Sequence, residues 1–136
     1  MENENNKKRK TKGAFWRKFL YAFRGIGSSL KEESSLVVHV ICTIVVFVLG
    51  GILHKGMHYY DWIILVVAMC VLMAGELINT AIENLTDMVS FKFSYNAKKI
   101  KDVAAAAMLI LSIMSIIVSL MVLIRALLVV IGVVPL

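Results

Sequence analysis

The chain has 136 residues, 60% of them hydrophobic and 18% charged, against roughly 45–50% apolar and about a quarter charged in a soluble domain. A mean hydropathy of +0.82 excludes an ordinary soluble globular protein and leaves a small polytopic membrane protein. The net charge is +6, but nine of the 15 Lys and Arg lie in residues 1–31 and four more between 92 and 101. Basic clusters beside apolar runs suit an anionic membrane surface and exclude nucleic acid as the partner. Two cysteines, Cys42 and Cys70, are too few for a disulfide framework or a four-ligand zinc site and read as reduced packing residues.

In chain order, residues 1–14 are polar and basic and read as a disordered arm. Residues 15–31 follow as an amphipathic surface helix. Phe15, Phe19, Ala22, Phe23, Ile26 and Leu30 share one face, with Arg17, Arg24 and Lys31 on the other, the pattern of a helix lying in the membrane interface. Residues 32–136 form the three-span domain. The first span is 36–53, an 18-residue run without formal charge that covers about 27 Å as a helix. It begins too far into the chain and is too long for a signal-peptide core. A turn with the interfacial aromatics Tyr59, Tyr60 and Trp62 leads into the second span, 62–87. Its uncharged start is too short to cross alone, so the helix must continue past Glu76, which places Glu76 inside the membrane and Glu83 at the far interface. Residues 90–96 read as a polar loop. The third span is 102–125, with 22 uncharged residues ahead of Arg125 at the opposite interface. The apolar tail 126–136 has no assignment. The expected fold is all-α: a surface helix followed by three transmembrane helices.

Lys and Arg placement sets the orientation. The N-terminus and residues 88–102 belong to the cytoplasmic side and the C-terminus to the outside. Glu33, Glu83, Lys101 and Asp102 then share one depth at the cytoplasmic interface, with Glu76 below them. Glu76, Asn79, Thr80, Glu83 and Asp87 recur at helical spacing as one polar stripe. Ionisable groups within a span cost about 2.5–3.5 kcal/mol each on insertion scales and normally face a protein interior. The stripe therefore needs partners that three helices supply sparingly, which favours oligomerisation. Glu33 and Glu83 are carboxylates of the kind that hold Mg²⁺ together with phosphate oxygens. A lysine beside them suits phosphate, and an intramembrane Glu76 suits a general base. Together they outline a phosphoryl-transfer site.

Structural readings stand beside these. Glu76 alone could serve helix packing, and Lys101 and Asp102 could serve as interface anchor and helix cap. Ser112, Ser115 and Ser119 read as small packing residues. His39 receives no role, and His54 and His58 are too few for a metal site.

The stretch Glu76-Leu77-Ile78-Asn79-Thr80-Ala81-Ile82-Glu83, followed by Asp87, resembles the prokaryotic diacylglycerol kinase and undecaprenol kinase family. So do residues 97–106 and, more weakly, residues 21–26 with Glu32-Glu33. The resemblance implies small ATP- and Mg²⁺-dependent lipid kinases of the bacterial plasma membrane that form homotrimers with shared active sites. Carried onto this chain, Glu76 resembles the catalytic base, and Glu33 and Glu83 the metal-binding carboxylates, with Glu32 an alternative to Glu33. Asn79, Glu83, Asp87, Lys101 and Asp102 match nucleotide-site positions. Arg17, or equally Lys18, matches a phosphate-binding cation. After Glu33, Ser34-Ser35-Leu36-Val37 stand where relatives often carry an aromatic and a basic residue.

The wording of the central motif is closer to the Gram-positive branch, which implies undecaprenol as the acceptor; diacylglycerol is the alternative. A proton-coupled exporter or a non-catalytic membrane subunit would need neither ATP nor Glu83.

Overall fold

The structure, a computed structural model, describes residues 2–89 and 95–135, with side chains from residue 15 onward. Among them are four α-helices: α1 (Glu2–Glu32), α2 (Ser34–Ile52), α3 (Tyr59–Val89) and α4 (Tyr95–Val130), with a single 3-10 turn, His54–Gly56, between α2 and α3. No strand occurs among the described residues. The polar loop expected at 90–96 falls mostly on residues 90–94, which lie outside them. The chain divides into two compact units, Met1–Ser34 and Ser35–Leu136.

In the N-terminal unit, α1 begins at Glu2 rather than near Phe15, where the apolar periodicity starts. Lys, Arg and Glu are good helix formers and carry a helix beyond its apolar face. Phe15, Phe19, Phe23 and Ile26 are exposed on this helix, and Phe15 meets Phe19 edge-on at 5.1 Å between ring centroids.

In the second unit, α2, α3 and α4 are each long and apolar enough to cross a membrane. Their apolar residues are not confined to one stripe. Val45, Ile64, Val67, Ile110, Ile113 and Ile117 all point outward, the mark of helices whose surroundings are apolar on every side. At 31 and 36 residues, α3 and α4 extend about 46 and 54 Å, more than a hydrocarbon core of about 30 Å requires. Both therefore overrun the spans expected from uncharged runs. Lys98, Lys99, Lys101 and Asp102 sit on helix that continues beyond the apolar segment.

The core lies along the α3–α4 contact. Leu65, Met69, Leu72, Glu76 and Thr80 are the buried stripe of α3; Ala104, Met108, Ser115, Ser119, Val122 and Ala126 are that of α4. The steps are three or four residues, or seven between Met108 and Ser115, as one helix face requires. Ser115 Oγ donates to the Ala68 carbonyl at 3.3 Å and Ser119 Oγ to the Ser115 carbonyl at 2.7 Å, so these serines pack the helix contact as expected. Val46 and Phe47 of α2 pack on the same core, and Phe47 stacks on Trp62 at 6.3 Å with the rings 13° from parallel.

Cys42 and Cys70 are both free and both exposed on the chain's surface, so neither packs the interior as expected.

The unassigned tail resolves into two parts. α4 carries on to Val130, and Gly132, at φ 78°, then closes it. Val133 N–H donates to the Leu128 carbonyl at 2.9 Å and Gly132 N–H to the Val129 carbonyl at 3.1 Å. This six-to-one and five-to-two pair needs a left-handed residue at the turn, which glycine supplies without strain.

Candidate active site

Glu76 sits on the buried stripe of α3 at 3% exposure. Helical spacing puts it there, because it follows Leu65, Met69 and Leu72 on the face that packs against the other helices. Its partners come from α2. Ser35 Oγ donates a hydrogen bond to Glu76 Oε1, and His39 Nε2 stands 3.7 Å from Oε2. One turn further along α2, Thr43 Oγ donates to the His39 carbonyl at 2.8 Å and lies 3.5 Å from Met69 Sδ.

One and two turns beyond Glu76, the stripe continues. Asn79 Nδ2 donates to Glu83 Oε1 at 2.9 Å. The carboxylate can only accept, so this contact fixes the amide and turns Asn79 Oδ1 the other way. That oxygen is buried and has no hydrogen-bond partner among the described residues. A buried carbonyl oxygen left unsatisfied costs about 1–3 kcal/mol and asks for a donor or a cation. The Glu83 carboxylate offers the hard oxygen ligands that Mg²⁺ prefers. Among the described residues no group of three or more His, Cys, Asp or Glu could hold a metal by itself.

Asp87 and Lys101 close the polar end of α3 and α4. Lys101 Nζ is 2.6 Å from Asp87 Oδ1, with both side chains substantially exposed. Asp102 is exposed. Thr80 is buried on the same stripe. The structure thus brings Glu76, Asn79, Glu83, Asp87 and Lys101 onto one side of the α3–α4 pair. Glu33 and Arg17 belong to the N-terminal unit. Glu33 is the single residue between α1 and α2, its N–H bonded to the Ser29 carbonyl at 2.9 Å.

Two residues at this site carried no functional weight in the sequence: Ser35 and His39. The signal for them was present, because Ser35, His39 and Thr43 recur every four residues along the otherwise apolar α2.

An open apolar groove of about 330 Å³ runs between α2 and α3, lined by Thr43, Phe47, Val66, Met69, Cys70, Met73, Ala74 and Leu77. Met73 and Leu77 flank Glu76 along α3. Apart from Thr43, every residue lining the groove is apolar.

Comparison with known proteins agrees with this chemistry. The family described as prokaryotic diacylglycerol kinase matches residues 20–123. A protein from Bacillus subtilis (strain 168) named undecaprenol kinase is 29% identical over 104 residues, covering 76% of this chain and 83% of its own length. One from Synechocystis sp. named diacylglycerol kinase is 30% identical over 101 residues, 74% of this chain and 57% of that protein. A third, from Helicobacter pylori (strain ATCC 700392 / 26695) and also named diacylglycerol kinase, is 34% identical over 90 residues, 66% of this chain and 69% of that protein.

Proposed function

Because the chain belongs to the prokaryotic diacylglycerol kinase family, whose members are lipid kinases, we propose that it phosphorylates undecaprenol with ATP and Mg²⁺ at the cytoplasmic face of the bacterial plasma membrane. The product is undecaprenyl phosphate. The observation that carries the reading is the buried Glu76 on one helix face with the Asn79–Glu83 pair, flanked along α3 by Met73 and Leu77 of an apolar groove. The groove suits a hydrocarbon chain, whose hydroxyl would then meet Glu76.

In the proposed reaction, Glu76 takes the proton of the lipid hydroxyl. The freed oxygen forms a bond to the γ-phosphorus, the bond from that phosphorus to the β–γ bridging oxygen breaks, and ADP leaves with the electron pair. Glu76 then returns its proton to solvent. Asn79 and Glu83 orient the phosphate end, and Lys101, released from Asp87, offers a cation to it. Mg²⁺ would be held at the Glu83 carboxylate and would supply positive charge to the phosphate oxygens. The metal role of Glu33 and the phosphate roles of Arg17 and Asp102 rest on the resemblance alone. We also assign a homotrimer: the sparsely partnered stripe favours oligomerisation, and the number three rests on the resemblance alone; mass measurement in detergent tests it.

Diacylglycerol is the second reading, favoured by the names of the Synechocystis and Helicobacter relatives. The two separate in one assay: purified protein in mixed micelles with MgATP and either a polyprenol or diacylglycerol, with Glu83→Gln alongside. Polyprenol phosphorylation well above diacylglycerol, with MgATP use impaired in Glu83→Gln, is the expected result. The opposite preference moves the product to phosphatidic acid. No transfer to either lipid above the Glu83→Gln background sinks the kinase reading.

A further inference from the structure

We infer that Ser35 and His39 of α2 are positioning residues that hold the Glu76 carboxylate in its working orientation. The inference rests on the reading of Glu76 as the base.

α2 is apolar through most of its length, and a polar group in such a helix is costly unless it meets another. Three of its polar residues, Ser35, His39 and Thr43, are spaced four apart and so form one narrow stripe. Thr43 spends its hydroxyl on the His39 carbonyl and the Met69 sulfur. Ser35 and His39 both address Glu76, one at each oxygen: Ser35 Oγ donates to Oε1 and His39 Nε2 lies 3.7 Å from Oε2. The second contact is just outside hydrogen-bond reach. Catalytic hydrogen bonds are commonly long before substrate binds and tighten in the complex.

A glutamate side chain turns about three bonds, and a misplacement of about 1 Å at a reacting group costs on the order of a hundredfold in rate. With Ser35 fastened to Oε1, the Oε2 edge is the one left to take a proton. His39, with 19% of its side chain exposed, flanks that edge without covering it. The nucleotide-side pair, Asn79 and Glu83, lies up to about 10 Å further along α3. Loss of Ser35 or His39 should therefore slow the proton transfer and leave MgATP binding nearly untouched.

The test is steady-state kinetics of the full chain in mixed micelles, with MgATP and whichever of the two lipids it accepts. The variants are Ser35→Ala, Ser35→Thr, His39→Ala, His39→Gln, the double alanine variant and Glu76→Gln. We expect Ser35→Ala and His39→Ala each to lower kcat about tenfold, equivalent to about 1.4 kcal/mol, with KM for MgATP within about twofold. Ser35→Thr and His39→Gln, which keep a donor, should recover most of the loss. The double alanine variant should lose less than the product of the two, because both act through one carboxylate. Ser35→Cys, nearly isosteric but a weak donor, should match Ser35→Ala and covers the case in which an alanine variant does not fold.

Alanine variants with unchanged kcat, or with losses that appear equally in KM and resist rescue, overturn the inference. Glu76→Gln separates the two failures. If it retains turnover, the base reading falls. If it is inactive while Ser35→Ala and His39→Ala match wild type, only the positioning role falls.

Discussion

Two buried carboxylates on α3, Asp61 and Glu76, are held in opposite ways. Asp61, at 7% exposure, receives the His58 N–H at 2.7 Å and the Arg125 guanidinium at 2.7 Å. Its charge is matched by a full cation, and the contact ties the start of α3 to the far part of α4. Glu76, at 3% exposure, has a hydroxyl on one oxygen and an imidazole at 3.7 Å from the other. No arginine or lysine neutralises it among the contacts described. A carboxylate closed by a guanidinium is a fastening. One held by a hydroxyl, with its second oxygen only approached, can still accept a proton. The same residue chemistry on one helix therefore serves architecture at one end and, in our proposal, reaction at the other.

The largest expected effect separates these two most sharply. Glu76→Gln should lower turnover by about 10²–10⁴, the usual contribution of a general base, with thermal unfolding in detergent unchanged or slightly raised. Asp61→Asn should do the reverse. Removing a hydrogen-bonded charge from Arg125 costs about 1.5–3 kcal/mol, read as a lower unfolding temperature, while kcat of the folded protein stays within about twofold. Asp61→Asn with normal stability and lost turnover would break the comparison.

Next comes the packing beside Asp61. A Cβ on Gly56 would collide with the Ala126 carbonyl oxygen and lie 3.0 Å from Val130 Cγ2. Backbone cannot yield as a side chain can, so Gly56→Ala should destabilise by about 1–3 kcal/mol. Gly75, one residue before Glu76, faces the flexible ends of Leu111 and of Met108, the latter at 3.0 Å. Gly75→Ala should cost less. Thermal unfolding of both variants checks the order, and a reversal would mean that the Asp61 end is the looser one.

The three spans were legible because uncharged runs of sufficient length have few other readings. Their ends were not. Lys98 and Lys101 continue a helix as readily as leucine does, and charge marks the edge of the apolar segment, not the edge of the helix. The α3 stripe was legible because Glu76, Asn79, Thr80, Glu83 and Asp87 contrast with apolar neighbours at helical spacing. Ser35 and His39 were not, although their spacing is just as regular. A helix that is apolar all round does not reveal which face meets its neighbour, and a serine in a span reads as a small packing residue. The Asp61–Arg125 pair joins positions 64 residues apart. In the sequence, Arg125 marked only an interface, and Asp61 was one polar residue among the interfacial aromatics Tyr59, Tyr60 and Trp62.

The smallest expected effect concerns Lys101. Its 2.6 Å contact with Asp87 is a short ion pair between side chains 38% and 66% exposed, and exposed pairs of this kind contribute about 0–1 kcal/mol. Lys101→Gln should therefore leave the unfolding temperature nearly unchanged. Its effect should fall on the nucleotide instead: a rise of about fivefold in KM for MgATP, the equivalent of one lost exposed contact of about 1 kcal/mol, with kcat little altered. Asp87→Asn provides the contrast, because it frees Lys101 without removing the cation and should raise that KM less. If Lys101→Gln lowered stability while leaving KM where it was, Lys101 would be a fastening like Arg125, and the polar end of α3 would share the architecture of the Asp61 end.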